Sequence, residues 1–118
     1  MKLLRNLLGL QLLLTAVILF HLCFPMYRIE TGSMEPLYPV GSLVLVSRLA
    51  EPEALDVYAY QHGSHVIVHR IVAREGPDFR FRGDANNVSD PYPVSETELI
   101  GEVVLCIPPL TKCSDLLS

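Results

Sequence analysis

Two kinds of hydrophobic patterning divide the chain. From Asn6 to Phe24 it reads NLLGLQLLLTAVILFHLCF, apolar almost throughout and free of charged residues. At about 1.5 Å per helical residue this run covers roughly the 30 Å of bilayer hydrocarbon, which predicts one membrane-spanning helix. Pro25 supplies its stop. Beyond it the period changes to two, and short runs of Val, Ile and aromatic residues alternate with turn residues, the mark of a small β domain. The expected strands are 27–31, 42–47, 56–60, 65–73, 79–82 and 99–107, and residues 48–55 are expected to form a helical turn limited by Pro52.

The flanks of the apolar run decide its orientation. Lys2 and Arg5 precede it, whereas Arg28 is balanced by Glu30. The positive-inside bias therefore keeps residues 1–5 in the cytoplasm, makes 6–25 a transmembrane anchor and places 26–118 outside the cytoplasm. Residues HLCFPMY at 21–27 lack the pair of small residues that a signal-peptide cleavage site needs, so the anchor is read as uncleaved.

Composition narrows the functions further. The net charge is −4, and residues 27–118 hold seven Lys and Arg against thirteen Asp and Glu, which argues against a nucleic-acid partner. The cysteines, at 23, 106 and 113, form no CxxC pair, so neither a disulfide framework nor a Cys-rich zinc site is expected. His62, His65 and His69 do not make a metal site either, because strand parity directs only the last two to one face. No cofactor is called for. About ninety residues make a marginal core, so contact with the bilayer surface is a second source of stability, to which Met34 and Leu37 are suited as exposed residues. They are equally suited to the core.

Three places carry candidate chemistry. In TGSMEP at 31–36, Gly32 allows a sharp bend that presents the Ser33 hydroxyl, although serines in such turns are commonly hydrogen-bonded turn residues. In HVIVHRIV at 65–72, parity sets His69 in a row with Ile67 and Ile71. Such a row holds a general base unprotonated and aimed, and also accommodates an ordinary core histidine. The loop RGDANNVSDP at 82–91 offers Asp84 and Asp90 as acceptors for an imidazole N–H or for backbone amides, as solvated turns also do. Together these supply a serine nucleophile, a histidine base and an orienting aspartate.

At this point the chain resembles the type I signal peptidases, in the branch that uses His where the common bacterial enzymes use Lys. The likeness rests on the N-terminal anchor, GSMEP around Ser33, HRIV from His69, GDANNVSDPYPV from Gly83, and IGEVV from Ile100. It implies a mainly β fold, a small partly closed antiparallel domain of the signal peptidase and repressor-cleavage type after one transmembrane helix. It also implies Ser33 as nucleophile, His69 as base, Asp90 as partner of the imidazole and Asp84 as a support. The Ser33 backbone N–H and the Thr31 hydroxyl would form the oxyanion hole. The implied activity is removal of signal peptides from exported preproteins after small residues at −1 and −3, with the lipid bilayer as the other partner; accessory subunits are left unspecified. Lys2 and Lys112 are the only lysines, and neither stands where a lysine base would. Asn87-Val-Ser89 is a glycosylation sequon, and a glycan so near Asp90 would crowd the site, which favours a plasma membrane over the endoplasmic reticulum. One departure is Leu55-Asp-Val where the family has Gly-Asp-Val, predicting a different turn before the third strand. Two other functions are weighed: a membrane-anchored binding module without catalysis, against which the presence of Ser33, His69 and both aspartates argues, and repressor-like self-cleavage, which uses a Ser-Lys pair and no membrane anchor.

Overall fold

The computed structural model describes residues 1–110; Lys112 and Cys113 lie outside them, as does the end of the expected domain 26–118. Helix α1 runs Lys2–Cys23 with no buried residue, and it is the one helix among the described residues long and apolar enough to cross a membrane. Its 22 residues span about 33 Å. The chain thus fits a single-pass membrane protein. The helix end is tied to the sheet, because Val46 N–H donates to the Pro25 carbonyl (2.9 Å) and Arg48 N–H to that of Cys23 (2.9 Å).

Seven strands follow: β1 Met26–Arg28, β2 Leu43–Ser47, β3 Val57–His62, β4 His65–Glu75, β5 Asp78–Arg82, β6 Val94–Ser95 and β7 Leu99–Ile107. They form one sheet in the order β1-β2-β7-β3-β4-β5-β6, with every neighbouring pair antiparallel. The domain is mainly β, as expected, but the sheet is not closed. Its end strands, β1 and β6, three and two residues long, pair with β2 and β5 and not with one another.

Side chains alternate across the sheet and build a core on each face. Val57 and Ala59 of β3 join Ile29, Met34, Val44, Val46, Val68 and Val103. Tyr58 and Tyr60 point the other way and join Ile71, Phe79, Phe81 and Val94. His69 pairs across β3–β4 with Tyr58, so it lies on the tyrosine face.

One expectation is corrected, and the structure adds two particulars. Residues 48–55 form two short turns joined by irregular backbone rather than a helical turn, because local side chains take the amides: Leu49 N–H donates to Ser47 Oγ and Glu53 N–H to Asp56 Oδ2. Met34 is a core residue, 1% exposed, and only Leu37 is on the surface. Before β3, the Leu55 backbone adopts the left-handed conformation that a glycine favours, at φ 76°.

Candidate active site

A short 3-10 turn, Gly32–Met34, presents Ser33 half-buried at the edge of β4. Met34 anchors the turn in the core, and Ser33 accepts a backbone bond from Ala85 N–H at 2.8 Å. Gly32 is not in the left-handed region, and a β-carbon there would meet the Glu35 side chain at an ordinary 3.7 Å, so the expected sharp bend is not what requires glycine there. The glycine that the site requires is Gly83 instead, where a β-carbon would meet Ser33 O at 2.7 Å and His69 Nε2 at 3.0 Å.

Ser33 Oγ lies 3.0 Å from His69 Nε2, and His69 Nδ1 lies 2.8 Å from Asp90 Oδ2. His69 and Asp90 are each 8% exposed. A carboxylate can only accept, so Nδ1 carries the imidazole proton and Nε2 is left with its lone pair facing the serine hydroxyl. The three side chains come from separate parts of the chain: the turn after β1, the middle of β4 and the loop after β5. Asp90 is fixed at its own backbone, its N–H donating to Phe81 O (2.7 Å) and its carbonyl accepting from Arg80 Nη1 (3.2 Å).

Asp84 stands apart from this line. Its carboxylate accepts both Nε and Nη2 of Arg70, at 2.9 and 2.8 Å, while Arg70 Nη1 donates to the Leu55 carbonyl at 2.7 Å. The guanidinium holds the Asp84 carboxyl below its ordinary range, chiefly through these bonds. One arginine therefore fastens the turn before β3 to the loop after β5. That loop in turn grips the serine turn, through Ala85 and through Asp84 N–H set 3.3 Å from the Met34 sulfur.

Thr31 Oγ1 is 3.1 Å from Ser33 Oγ. The backbone N–H of Ser33 sits in the first turn of a helix, where amides have no intrahelical acceptor. Beside them opens a groove of about 670 Å³, lined on one side by Tyr27 to Thr31 and on the other by His65 to His69. β5 pairs with β4 only from Arg70 onward, so this half of β4 has a free edge on the side away from β3. A free strand edge beside a groove is the arrangement that an extended chain can join by main-chain hydrogen bonds.

A family model described as Peptidase S24-like matches residues 19–104, a span that contains Ser33, His69, Asp84 and Asp90. The chain belongs to the Peptidase S24-like family. Signal peptidase I W of Bacillus subtilis (strain 168) is 33% identical over 81 residues, covering 62% of this chain and 43% of that protein. The chain thus spans less than half the length of that relative. The similarity agrees with the resemblance to type I signal peptidases carried by the motifs.

Within this S24-like site, sequence reasoning missed Tyr60, Tyr92, Arg70 and Gly83. Tyr60 is wholly buried, and its hydroxyl donates to Asp90 Oδ2 at 2.5 Å. A signal for it existed. Parity puts Tyr60 on the His69 face, and a buried phenol hydroxyl needs a partner. Arg70, next to His69 and pointing to the opposite face, was likewise a basic residue in an apolar strand that required an acceptor.

Proposed function

We propose that the protein is a membrane-anchored serine endopeptidase of the His-type signal peptidase branch, with Ser33 as nucleophile, His69 as general base and Asp90 as the orienting carboxylate. It removes signal peptides from exported preproteins at the outer face of the plasma membrane, cleaving after small residues at −1 and −3. The observation that carries this reading is the unbroken hydrogen-bonded line from Ser33 through His69 to Asp90, ending at a groove with a free strand edge.

In the reaction, Ser33 Oγ attacks the scissile carbonyl carbon while its proton passes to His69 Nε2. The imidazolium stays hydrogen-bonded through Nδ1–H to Asp90. The oxyanion accepts from Ser33 N–H and from the Thr31 hydroxyl, each donor worth about 3 kcal/mol of transition-state stabilisation. Collapse breaks the C–N bond, and Nε2–H gives its proton to the departing amine, leaving an acyl ester on Ser33. Water then attacks the ester as His69 takes its proton, and Ser33 leaves protonated, so the enzyme is regenerated.

An extended substrate adds as a strand along the groove, with alternate side chains turned toward Ile29, Met34, Val66 and Val68. Small residues at −1 and −3 are the expected occupants of that side of the groove. Among the described residues the one lysine, Lys2, begins α1, so a Ser-Lys mechanism finds no base there. The test is incubation of the detergent-solubilised chain with a panel of preproteins and N-terminal sequencing of the products. Cleavage at the signal-peptide boundary after small residues is expected; efficient cleavage after large aromatic residues, or none at all, contradicts the reading.

A further inference from the structure

Behind the Ser33–His69–Asp90 line the hydrogen bonds continue into the sheet. Tyr60 packs its ring against Phe81, centroids 4.5 Å apart, and donates its hydroxyl proton to Asp90 Oδ2, the oxygen that also faces His69 Nδ1. The Tyr92 hydroxyl lies 3.1 Å from that of Tyr60. Tyr60 has one proton, and the carboxylate can only accept, so the direction is set: Tyr92 donates to Tyr60, and Tyr60 to Asp90. Neither tyrosine lines the groove, so neither touches substrate.

We propose that Tyr60, itself oriented by Tyr92, is a positioning residue of the active site: it holds the Asp90 carboxylate turned toward His69 and shares its charge. The inference rests on the serine-peptidase reading above. A carboxylate as buried as Asp90 is costly with a single partner, and a second charge-assisted bond to the same oxygen both stabilises the ionised form and blocks rotation about its side-chain bonds. Burial, together with the bonds to Asp90 and Tyr92, pushes the Tyr60 hydroxyl far above its ordinary pKa, so it remains a donor throughout turnover. Successive bonds in such a row polarise one another, which makes Tyr92 part of the same device.

The role of the hydroxyl is separable from that of the ring, because Tyr60→Phe keeps the packing on Phe81. The experiment uses the detergent-solubilised full chain and a cleavable preprotein, with Ser33→Ala as the reference. Turnover by Ser33→Ala would overturn the serine-peptidase reading itself. With that variant inactive, Tyr60→Phe is expected to lower kcat about ten- to a hundredfold, the worth of one bond to a charged group. KM should stay unchanged. The acid limb of the pH–rate profile should move to higher pH, since a carboxylate relieved of one donor holds the imidazolium more tightly, and the His69 Nδ1 proton resonance should move downfield. Tyr92→Phe, which leaves the Tyr60–Asp90 bond in place, should shift the limb in the same direction by less, and serves where Tyr60→Phe does not fold. Unchanged kcat in Tyr60→Phe, or a loss that tracks only the fraction of folded protein with the acid limb unmoved, overturns the inference, as does an unmoved limb in Tyr92→Phe where that variant serves alone.

Discussion

Gly83 and Ser33 are so closely apposed that a β-carbon on the glycine would stand 2.7 Å from the serine carbonyl oxygen. That contact is too short for carbon against oxygen, and the obstruction is backbone, which cannot swing aside. The same β-carbon would also reach 3.0 Å from His69 Nε2, so it would press on both residues that share the activating bond. Gly83→Ala is expected to lower kcat about a hundredfold or more, as displacements on the order of 1 Å do in positioned sites. Steady-state cleavage rates beside a thermal unfolding curve check this; a variant with native rates would mean that the serine turn is looser than the geometry implies.

The two aspartates are expected to separate. Asp90→Asn keeps the shape but donates where the carboxylate accepted, so the imidazole takes the wrong tautomer and the rate falls by about 10³ to 10⁴. Asp84→Asn loses the paired bonds to Arg70 and should cost about 1 kcal/mol of stability, a surface pair of good geometry, together with some rate. The pH dependence follows from the lowered Asp84 carboxyl. A depressed folded-state value contributes stability above the unfolded carboxyl's titration and loses it as pH falls through the folded one. Glu75, lowered by Arg80, titrates on the same acidic side, so wild type and Asp84→Asn are compared at each pH. Their stabilities should differ at neutral pH and converge on acidification. Equal acid sensitivity in both would remove Asp84 from the stabilising role.

How much of this was legible in the chain depends on the range of the contacts involved. β4 and β7 stood out because each is a long run rich in Val and Ile between clear turns, and β7 begins and ends where the pattern placed it. β6 did not, since Val94–Ser95 is too short to alternate and follows Pro93. Ser33, His69 and the aspartates drew notice as polar residues in turns or apolar rows. Their mutual distances depend on a sheet order in which β7 inserts between β2 and β3, and no local pattern encodes that. Tyr60 read as one more aromatic in a strand, because its acceptor is 30 residues away.

Leu55 offers a test of the backbone alone. Its φ of 76° costs a non-glycine residue about 1–2 kcal/mol, against roughly 0.5–1 kcal/mol of added chain entropy for glycine. The side chain is 68% exposed, so little packing is lost. Leu55→Gly should therefore stabilise the domain by about 0.5–1 kcal/mol with unchanged cleavage rates. Denaturant unfolding reads the gain; a loss of stability would show that the exposed leucine has an apolar partner, such as the membrane surface, that outweighs the strain.

The central claim is that Ser33 is the nucleophile of a peptidase, and its removal tests this most directly. Turnover of a preprotein is compared between wild type and Ser33→Ala at matched concentrations, with thermal unfolding run on both. The account predicts unfolding curves that superimpose and a loss of turnover of up to about a millionfold, as in other enzymes whose serine acts through a histidine. Cleavage at the same site and a comparable rate by Ser33→Ala would contradict it.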